Sequence, residues 1–340
     1  MSQKEQVLLG LSGGVDSSVA LRLLQESGLE VQAAVIRFSP CHEGAVQAAL
    51  ATAGQLGVPC HVLEAGGDFE ASVVRPFCEG YCAGRTPNPC ILCNPAVKFA
   101  ALLQKADQLG CRYIATGHYA RVGQSRDGFY RVRQAVSLPR DQSYMLYRLG
   151  QEVLSRLLLP LGGLEKPQVR QKARDLGLAC ADAPDSMEIC FIPDGDYPAF
   201  IQGRGFAPKT GHFIAPDGRD LGPHQGVWKY TVGQRKGLGL ALGRPAFVRR
   251  ITPEGNVELG WAGEEFFSTV RLEGLCGPSL PAGEYQVKIR SAAQPAPCHF
   301  DGQATLTFPQ PVRAPAPGQS AVLYRQGEVW GGGFIAGAET

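Results

Sequence analysis

The chain has 340 residues, 44% hydrophobic and 19% charged, with a net charge of +2. That balance excludes a disordered chain, and 43 glycines with 25 prolines exclude a long all-helical one. The length predicts two or three domains, and no apolar run approaches the roughly 18–20 residues that cross a bilayer.

Residues 1–6 are polar and do not read as a signal peptide, so a cytoplasmic chain without membrane contact is expected. Residues 7–11 form a short apolar strand, and residues 17–26 a helix with Val19, Leu23 and Leu24 on one face, stopped at Gly28. A strand at 31–36, a helix at 45–56, a strand at 58–63, a helix at 96–109 and a strand at 113–115 follow. Strand and helix in alternation predict an α/β fold with a parallel sheet, whose ligands sit at the carboxyl ends of the strands. Residues 122–135 read as a hairpin around Asp127-Gly128, and helices resume at 151–158 and 166–176. Helical periodicity fades after about Arg204. Residues 211–243 are glycine-rich, and from Thr269 short alternating segments at 285–289, 304–308 and 321–324 predict a small β-barrel or sandwich.

Charge is uneven along this order. Residues 76–150 hold ten Lys or Arg against four Asp or Glu, and residues 224–250 hold six against none. Basic stretches of this kind attract phosphate backbones, although a solvated face is the plainer reading of either alone. Eleven cysteines are many for a cytoplasmic chain, where stable disulfides are rare, so metal binding or thiol chemistry is the better explanation of any cluster.

The sharpest motif is Ser12-Gly13-Gly14-Val15-Asp16-Ser17-Ser18, between the first strand and the first helix. Two glycines let the backbone approach a phosphate, and the helix N-terminus offers free N–H groups and the positive end of its dipole. Asp16 can help to hold Mg2+ on the phosphates. The lysine of the Walker pattern is absent. The loop resembles that of the PP-loop ATP pyrophosphatases, which cleave ATP between the α- and β-phosphates and adenylylate a substrate.

Further segments narrow the resemblance. They are 84–89 with Leu92-Cys93-Asn94 and Lys98-Phe99, 115–121, 141–144, Asp185-Ser186 with 189–192, 231–239, Lys288-Ile289-Arg290 and Gly331-Gly332-Gly333. In this order, over nearly the whole chain, they are similar to the bacterial tRNA-specific 2-thiouridylases, the MnmA family. The resemblance implies a PP-loop domain resembling the adenine nucleotide alpha hydrolases over 1–204, a small central tRNA-contacting domain over 205–266 and a C-terminal β-barrel over 267–340. It implies a monomer that uses ATP to place sulfur at C2 of the wobble uridine in tRNA, with sulfur from a relay protein or hydrosulfide. It implies ATP contacts at Gly10, Leu11, Ser12, Gly13, Gly14, Val15, Asp16, Ser17, Ile36 (where the family usually has Met) and Gly117. It implies tRNA contacts at Asn88, Pro89, Cys90, Arg140, Asp141, Gln142, Arg290 and Ser291, and catalytic cysteines at Cys93 and Cys190.

The chain departs from the pattern at Cys90, where many relatives carry an acid. A thiol is a poor carboxylate substitute, with a reference pKa of about 8.5 against about 4. Three thiolates at Cys90, Cys93 and Cys190 suit a [4Fe–4S] cluster with one iron free of protein. Persulfide chemistry without metal is a second reading of the same thiols. A redox pair of Cys90 and Cys93, or a zinc site in which these two join Cys78 and Cys82, is a third, although Cys78 and Cys82 read more simply as packed on a helix. Cys41, Cys60, Cys111, Cys180, Cys276 and Cys298 are expected to be small buried hydrophobes, and His118 a structural neighbour of the nucleotide rather than an acid or base. Two other functions compete with thiolation: a PP-loop ligase or amidotransferase acting on a small metabolite, and an RNA-binding barrel protein with an inactive nucleotide domain.

Overall fold

The computed structural model describes residues 4–184 and 189–339, so Asp185 and Ser186 lie outside the described residues. The chain divides into two compact units. The first is Met1–Val73, Cys90–Pro193 and Gln326–Val329; the second is Val74–Pro89, Asp194–Arg325 and Trp330–Thr340.

The first unit is built on a parallel sheet. Its strands are β1 (Gln6–Gly10), β2 (Glu30–Arg37), β3 (Cys60–Glu64), β4 (Tyr113–Thr116) and, beyond the hairpin β5 (Arg121–Gln124) and β6 (Tyr130–Arg133), β7 (Leu157–Leu158). The order is β3-β2-β1-β4-β7, and every pair is parallel. Val7, Leu8 and Leu9 are fully buried, as expected for a central strand with helices on both faces. The chain runs from β1 to β2 and β3 on one side, then returns to β4 on the other. The loop after β1 therefore opens at the crevice where strand order reverses.

The helix after β1 spans Val15–Glu26 and buries Val19, Ala20, Leu21 and Leu24 against the sheet. The helix expected over 96–109 is an α-helix over Phe99–Leu109, preceded by a π-helical turn at Asn94–Lys98 that contains Pro95. The helix expected over 151–158 is a correction: it ends at Leu154, and Leu157 and Leu158 pair with Ile114 and Ala115 at the sheet edge. There, strand pairing overrides a period that two leucines satisfy equally well. The hairpin turns at Asp127-Gly128, and buried Arg131 reaches back to the Asp127 carboxylate at 2.6 and 2.7 Å.

The second unit holds a four-stranded sheet of β8 (His212–Ile214), β9 (Asp220–Pro223), β10 (Ala246–Ile251) and β11 (Val257–Trp261), in the order β10-β11-β8-β9. Phe213, Tyr230, Val248, Val257 and Leu259 form its core. It also holds a barrel of β12 (Phe266–Cys276), β13 (Gly283–Lys288), β14 (Ala296–Phe300), β15 (Thr305–Arg313), β16 (Ser320–Arg325) and β17 (Glu328–Glu339). The order β12-β15-β14-β13-β16-β17 closes on itself where β17 pairs with β12, which removes the exposed edges. Alternate residues point inward, and Val270, Val287, Phe300, Leu306, Leu323 and Ile335 fill the interior.

The glycine triplet explains the closure. A Cβ on Gly331, Gly332 or Gly333 would meet the carbonyl oxygens of Cys276, Ala321 and Glu273 at 2.2, 2.3 and 2.9 Å respectively. Only glycine lets β17 run this close to both neighbours. No helix among the described residues is long and apolar enough to cross a membrane. Gly332→Ala is expected to destabilise the protein by roughly 2–4 kcal/mol, read as a lower melting temperature; an unchanged melting temperature would contradict this account of closure.

Candidate functional site

The loop after β1 is tied in place by its own serines. Leu11 N–H donates to the Ala34 carbonyl at 2.8 Å, which continues the β1–β2 ladder into the loop. Ser17 Oγ accepts from Ser12 N–H at 3.1 Å and lies 3.0 Å from Ser12 Oγ, while Ser18 Oγ donates to the Gly14 carbonyl at 2.9 Å. Gly13 has φ +77°, and a Cβ there would stand 2.7 Å from Ala48 Cβ. Gly14 is less crowded: its Cβ would meet only Ser12 Oγ, at 3.6 Å. The glycines thus differ in role, Gly13 letting the chain turn and Gly14 leaving open space before the helix N-terminus.

β4 fixes the loop from the other side. A Cβ on Gly117 would lie 2.7 Å from Ser17 N and 2.9 Å from Asp16 C. The residue after β4 therefore touches the first turn of the helix. Ile36 lies near the end of β2, beside β1. Gly10–Ser17, Ile36 and Gly117 all stand at the carboxyl ends of three adjacent strands, which is one place and the right end of the sheet for an anion.

Asp16 does not stand alone. Its two carboxylate oxygens accept from Lys166 Nζ at 2.7 and 2.8 Å, and Tyr119 Oη donates to Oδ1 at 2.9 Å. Lys166 is buried and opens the helix Lys166–Asp175. A bare carboxylate at a phosphate site would repel its ligand, and Lys166 cancels that charge. Sequence reading missed Lys166, because nothing local marks a partner 150 residues from Asp16.

Residues 140–142 differ in their contacts. The Asp141 carboxylate accepts from Ala135 N–H at 3.0 Å, Ser143 N–H at 3.2 Å and Ser143 Oγ at 2.7 Å. Gln142 Oε1 accepts from Tyr119 N–H at 2.8 Å, and Gln142 N–H donates to the Tyr119 carbonyl. These two side chains shape the loop, and Arg140 is the exposed member. Tyr119 joins this loop to Asp16 through its own hydroxyl.

The cysteines converge within the same unit. Cys90 and Cys93 lie on the one-turn helix Pro89–Cys93, Cys90 exposed and Cys93 buried. Burial pushes the Cys93 thiol up to about 11, with Lys98 acting to lower it and Cys90 to raise it. Burial, then Cys90 and Cys93, push the Cys190 thiol up to about 12, again against Lys98. Cys90 thus acts on Cys93, both act on Cys190, and Lys98 is the cation that opposes them at Cys93 and Cys190. Lys98 also acts on His118, whose pKa falls to about 3, first by burial and second by that charge. His118 Nδ1 sits 2.7 Å from Thr116 Oγ1, and its ring stacks on Phe99. A neutral, packed imidazole fits the structural role expected for it. Among the described residues no group of three or more His, Cys, Asp or Glu is arranged to hold a metal ion.

The remaining cysteines require one correction. Cys78, Cys111 and Cys298 are buried and Cys60, Cys180 and Cys276 partly so, but Cys41 is exposed and donates to the Cys190 carbonyl at 3.8 Å. It lies in the turn Pro40–His42 after β2, at the ligand end of the sheet.

In the second unit, Asn88 and Pro89 close the segment 74–89. Arg290, from the same unit, donates to the carbonyls of Val232 and Ala314 at 2.8 and 3.0 Å, with Ser291 beside it. A groove of about 880 Å3 lies within this unit. Arg85, Lys209, Arg249, Arg250 and Arg271 line it, against the acids Glu258 and Glu339.

Comparison with known proteins narrows the meaning of these features. A family model described as a tRNA methyl transferase HUP domain matches residues 5–194. Models described as a tRNA methyl transferase PRC-barrel domain and an aminomethyltransferase beta-barrel domain match 199–258 and 275–335. The tRNA-specific 2-thiouridylase MnmA of Carboxydothermus hydrogenoformans is 45% identical over 98% of both chains. That of Heliobacterium modesticaldum is 43% identical over 98% of this chain and 92% of its own. The chain belongs to the MnmA family. Its MnmA relative from Acetivibrio thermocellus is 42% identical over 98% of this chain and 99% of its own. Among solved structures, a 4-thiouridine synthetase–RNA complex with bound ATP is similar over 59% of this chain and 50% of its own, with 16% identity and a TM-score of 0.37.

Since Lys98 acts to lower the thiol pKa of both Cys93 and Cys190, Lys98→Met removes the one opposing charge. Alkylation of Cys93 and Cys190 by iodoacetamide should then need a higher pH than in the parent protein, read by peptide mass spectrometry across a pH series. An unchanged or lower pH for labelling would contradict that role.

Proposed function

We propose that this chain uses ATP to replace the C2 oxygen of the wobble uridine of tRNA with sulfur. The observation that supports it best is an anion-receptive loop in the same compact unit as Cys90, Cys93 and Cys190, the first two of which act on the third. The C2 oxygen of uracil is a poor leaving group. Attack of that oxygen on the α-phosphorus of ATP expels pyrophosphate and leaves the oxygen as part of an adenylate. Sulfur then adds at C2, and AMP departs with the oxygen. The wobble base is single-stranded in its loop, so it enters a pocket at modest cost.

The residues take the following parts in this reading. Gly10–Ser17 and Gly117 hold the phosphates through backbone N–H groups, with Ile36 along the nucleotide. Mg2+ enters on the ATP. Asp16 is the loop's carboxylate for it, kept near neutral overall by Lys166. Arg140 meets tRNA, and Asp141 and Gln142 set its position. Asn88, Pro89 and Cys90 lie by the target base. Arg290 and Ser291 act on tRNA through the segments at Val232 and Ala314 that Arg290 ties together. The basic groove of the second unit takes the phosphate backbone, which needs clustered cations and no base-specific contact. The divisions at 204 and 266, a monomeric state, a cytoplasmic setting and a sulfur donor outside the chain belong to the same reading.

Cys93 and Cys190 carry the sulfur step with Cys90. The donor set fits a [4Fe–4S] cluster by its chemistry: three thiols, no carboxylate, and mutual repulsion that a cationic centre relieves. Cys90, Cys93 and Cys190 would hold it once their side chains rearrange, since among the described residues they are not arranged as a ligand set. When bound, the cluster supplies an iron open to sulfide. Lys98 supports the same thiols by favouring their charged form.

tRNA-dependent release of pyrophosphate, with 2-thiouridine found by nucleoside mass spectrometry, tests the function; release stimulated only by a small acid or amine would overturn it. Cys190→Ala should abolish thiolation and leave tRNA-dependent pyrophosphate release within about twofold. Anaerobic purification should give about four iron and four sulfide per chain, and a fully active protein without iron would remove the cluster. Replacing both Arg249 and Arg271 by Ala should weaken tRNA binding and lower its salt slope by about 2; an unchanged slope would move the backbone contact elsewhere.

A further inference from the structure

Asn94 carries a buried hydrogen-bond acceptor that the fold leaves unused. It follows Cys93 directly, is only 2% exposed, and its Nδ2 donates to the Met145 carbonyl at 2.8 Å. A carbonyl only accepts, so the amide nitrogen must face Met145 and Oδ1 must face the other way. Oδ1 is buried with no hydrogen-bond partner among the described residues. The adjacent Pro95 has no N–H to offer it. Buried acceptors are nearly always paired, because an unpaired one gives up its hydration for nothing. The amide is also held in place. Met145 N–H donates to the Gln142 carbonyl at 2.9 Å, within the loop that Asp141 and Gln142 brace. Cys90 stands four residues before Asn94, about one helical turn, so the two share a face, exposed at Cys90 and buried at Asn94.

We propose that Asn94 Oδ1 accepts the N3–H of the uracil to be thiolated, and so selects uridine over cytidine. The inference rests on the reading above, in which Asn88, Pro89 and Cys90 lie by that base. A base that enters past Cys90 comes to Asn94 on the same face. Uracil in a nucleoside has one ring N–H, at N3, between its two carbonyls. Cytosine has a lone pair there, which an amide oxygen repels. A site built to satisfy a substrate N–H rejects the analogue that lacks it, because the buried acceptor then stays unpaired. N3 is bonded to C2, so this hydrogen bond also sets the side on which the C2 oxygen lies. An amide oxygen is no base at neutral pH. Asn94 therefore selects and orients the base, and takes no proton from it.

The test pairs a change in the protein with a change in the base. Anticodon stem–loop RNA carries uridine or 3-deazauridine at the wobble position, the second having C–H in place of N3–H. Binding to the full chain is measured without ATP or a sulfur donor. The parent protein should bind the uridine loop about tenfold more tightly, and Asn94→Ala should bind the two loops equally within about twofold. If Asn94 only holds Met145, Asn94→Ala weakens both loops alike and keeps the parent ratio, which would overturn the proposal. A parent protein that binds both loops equally, as when a water fills the acceptor, overturns it too. A second measurement needs no variant. With heavy nitrogen at N3 of the wobble uridine, NMR should find its imino proton protected from exchange in the complex with the parent protein; an imino proton still in fast exchange contradicts the assignment. Thiolation of the uridine loop is followed in parallel. A parent protein that thiolates without discriminating fails this inference alone, whereas one that forms no 2-thiouridine fails the functional reading and this inference with it.

Discussion

The contact between Gly117 and the first helical turn is the constraint on which the first unit depends. With no side chain, Gly117 lets the end of β4 lie against Ser17 and Asp16. That approach places Tyr119, two residues later, where its hydroxyl reaches Asp16 and its backbone holds Gln142. Asp16 in turn anchors Lys166 from a distant helix. One close approach thereby couples the phosphate loop, the segment at 140–142 and the helix Lys166–Asp175. The loop glycines need this frame, because a flexible loop would lose ordering entropy on every binding event.

The thiol chemistry obeys a second constraint, that of charge. Desolvation and the charge of neighbouring thiols hold Cys93 and Cys190 well above the ordinary thiol range, so at neutral pH both keep their protons. Such thiols are quiet until a cation or a partner changes their surroundings. Lys98 offsets part of the penalty, and a metal centre would offset far more.

Much of this was legible in the sequence where the signal was local. The run from Ser12 to Ser18 marks its own loop, because glycine and helix-opening serines act on neighbours. Alternating strands and helices predicted the parallel sheet, and the two-residue period after Thr269 predicted the barrel. Long-range partners were not legible. Lys166 pairs with Asp16 across 150 residues, and Cys41 meets Cys190 across 149. Leu157 and Leu158 suited a helix by spacing, yet the free edge of β4 drew them into a strand. The resemblance places Asp141 and Gln142 at tRNA, and only their hydrogen bonds show that they also brace the loop. Likewise the resemblance places Arg290 at tRNA, and the fold adds that it joins two segments of backbone.

The central claim is that the C2 oxygen of uridine is activated as an adenylate and leaves with AMP. It is tested most directly with tRNA that carries a heavy oxygen isotope at C2 of the wobble uridine. After one turnover with ATP and sulfide, mass spectrometry should find the label in the phosphate of AMP and sulfur in the base. Label in water or in pyrophosphate, with 2-thiouridine still formed, would contradict the account.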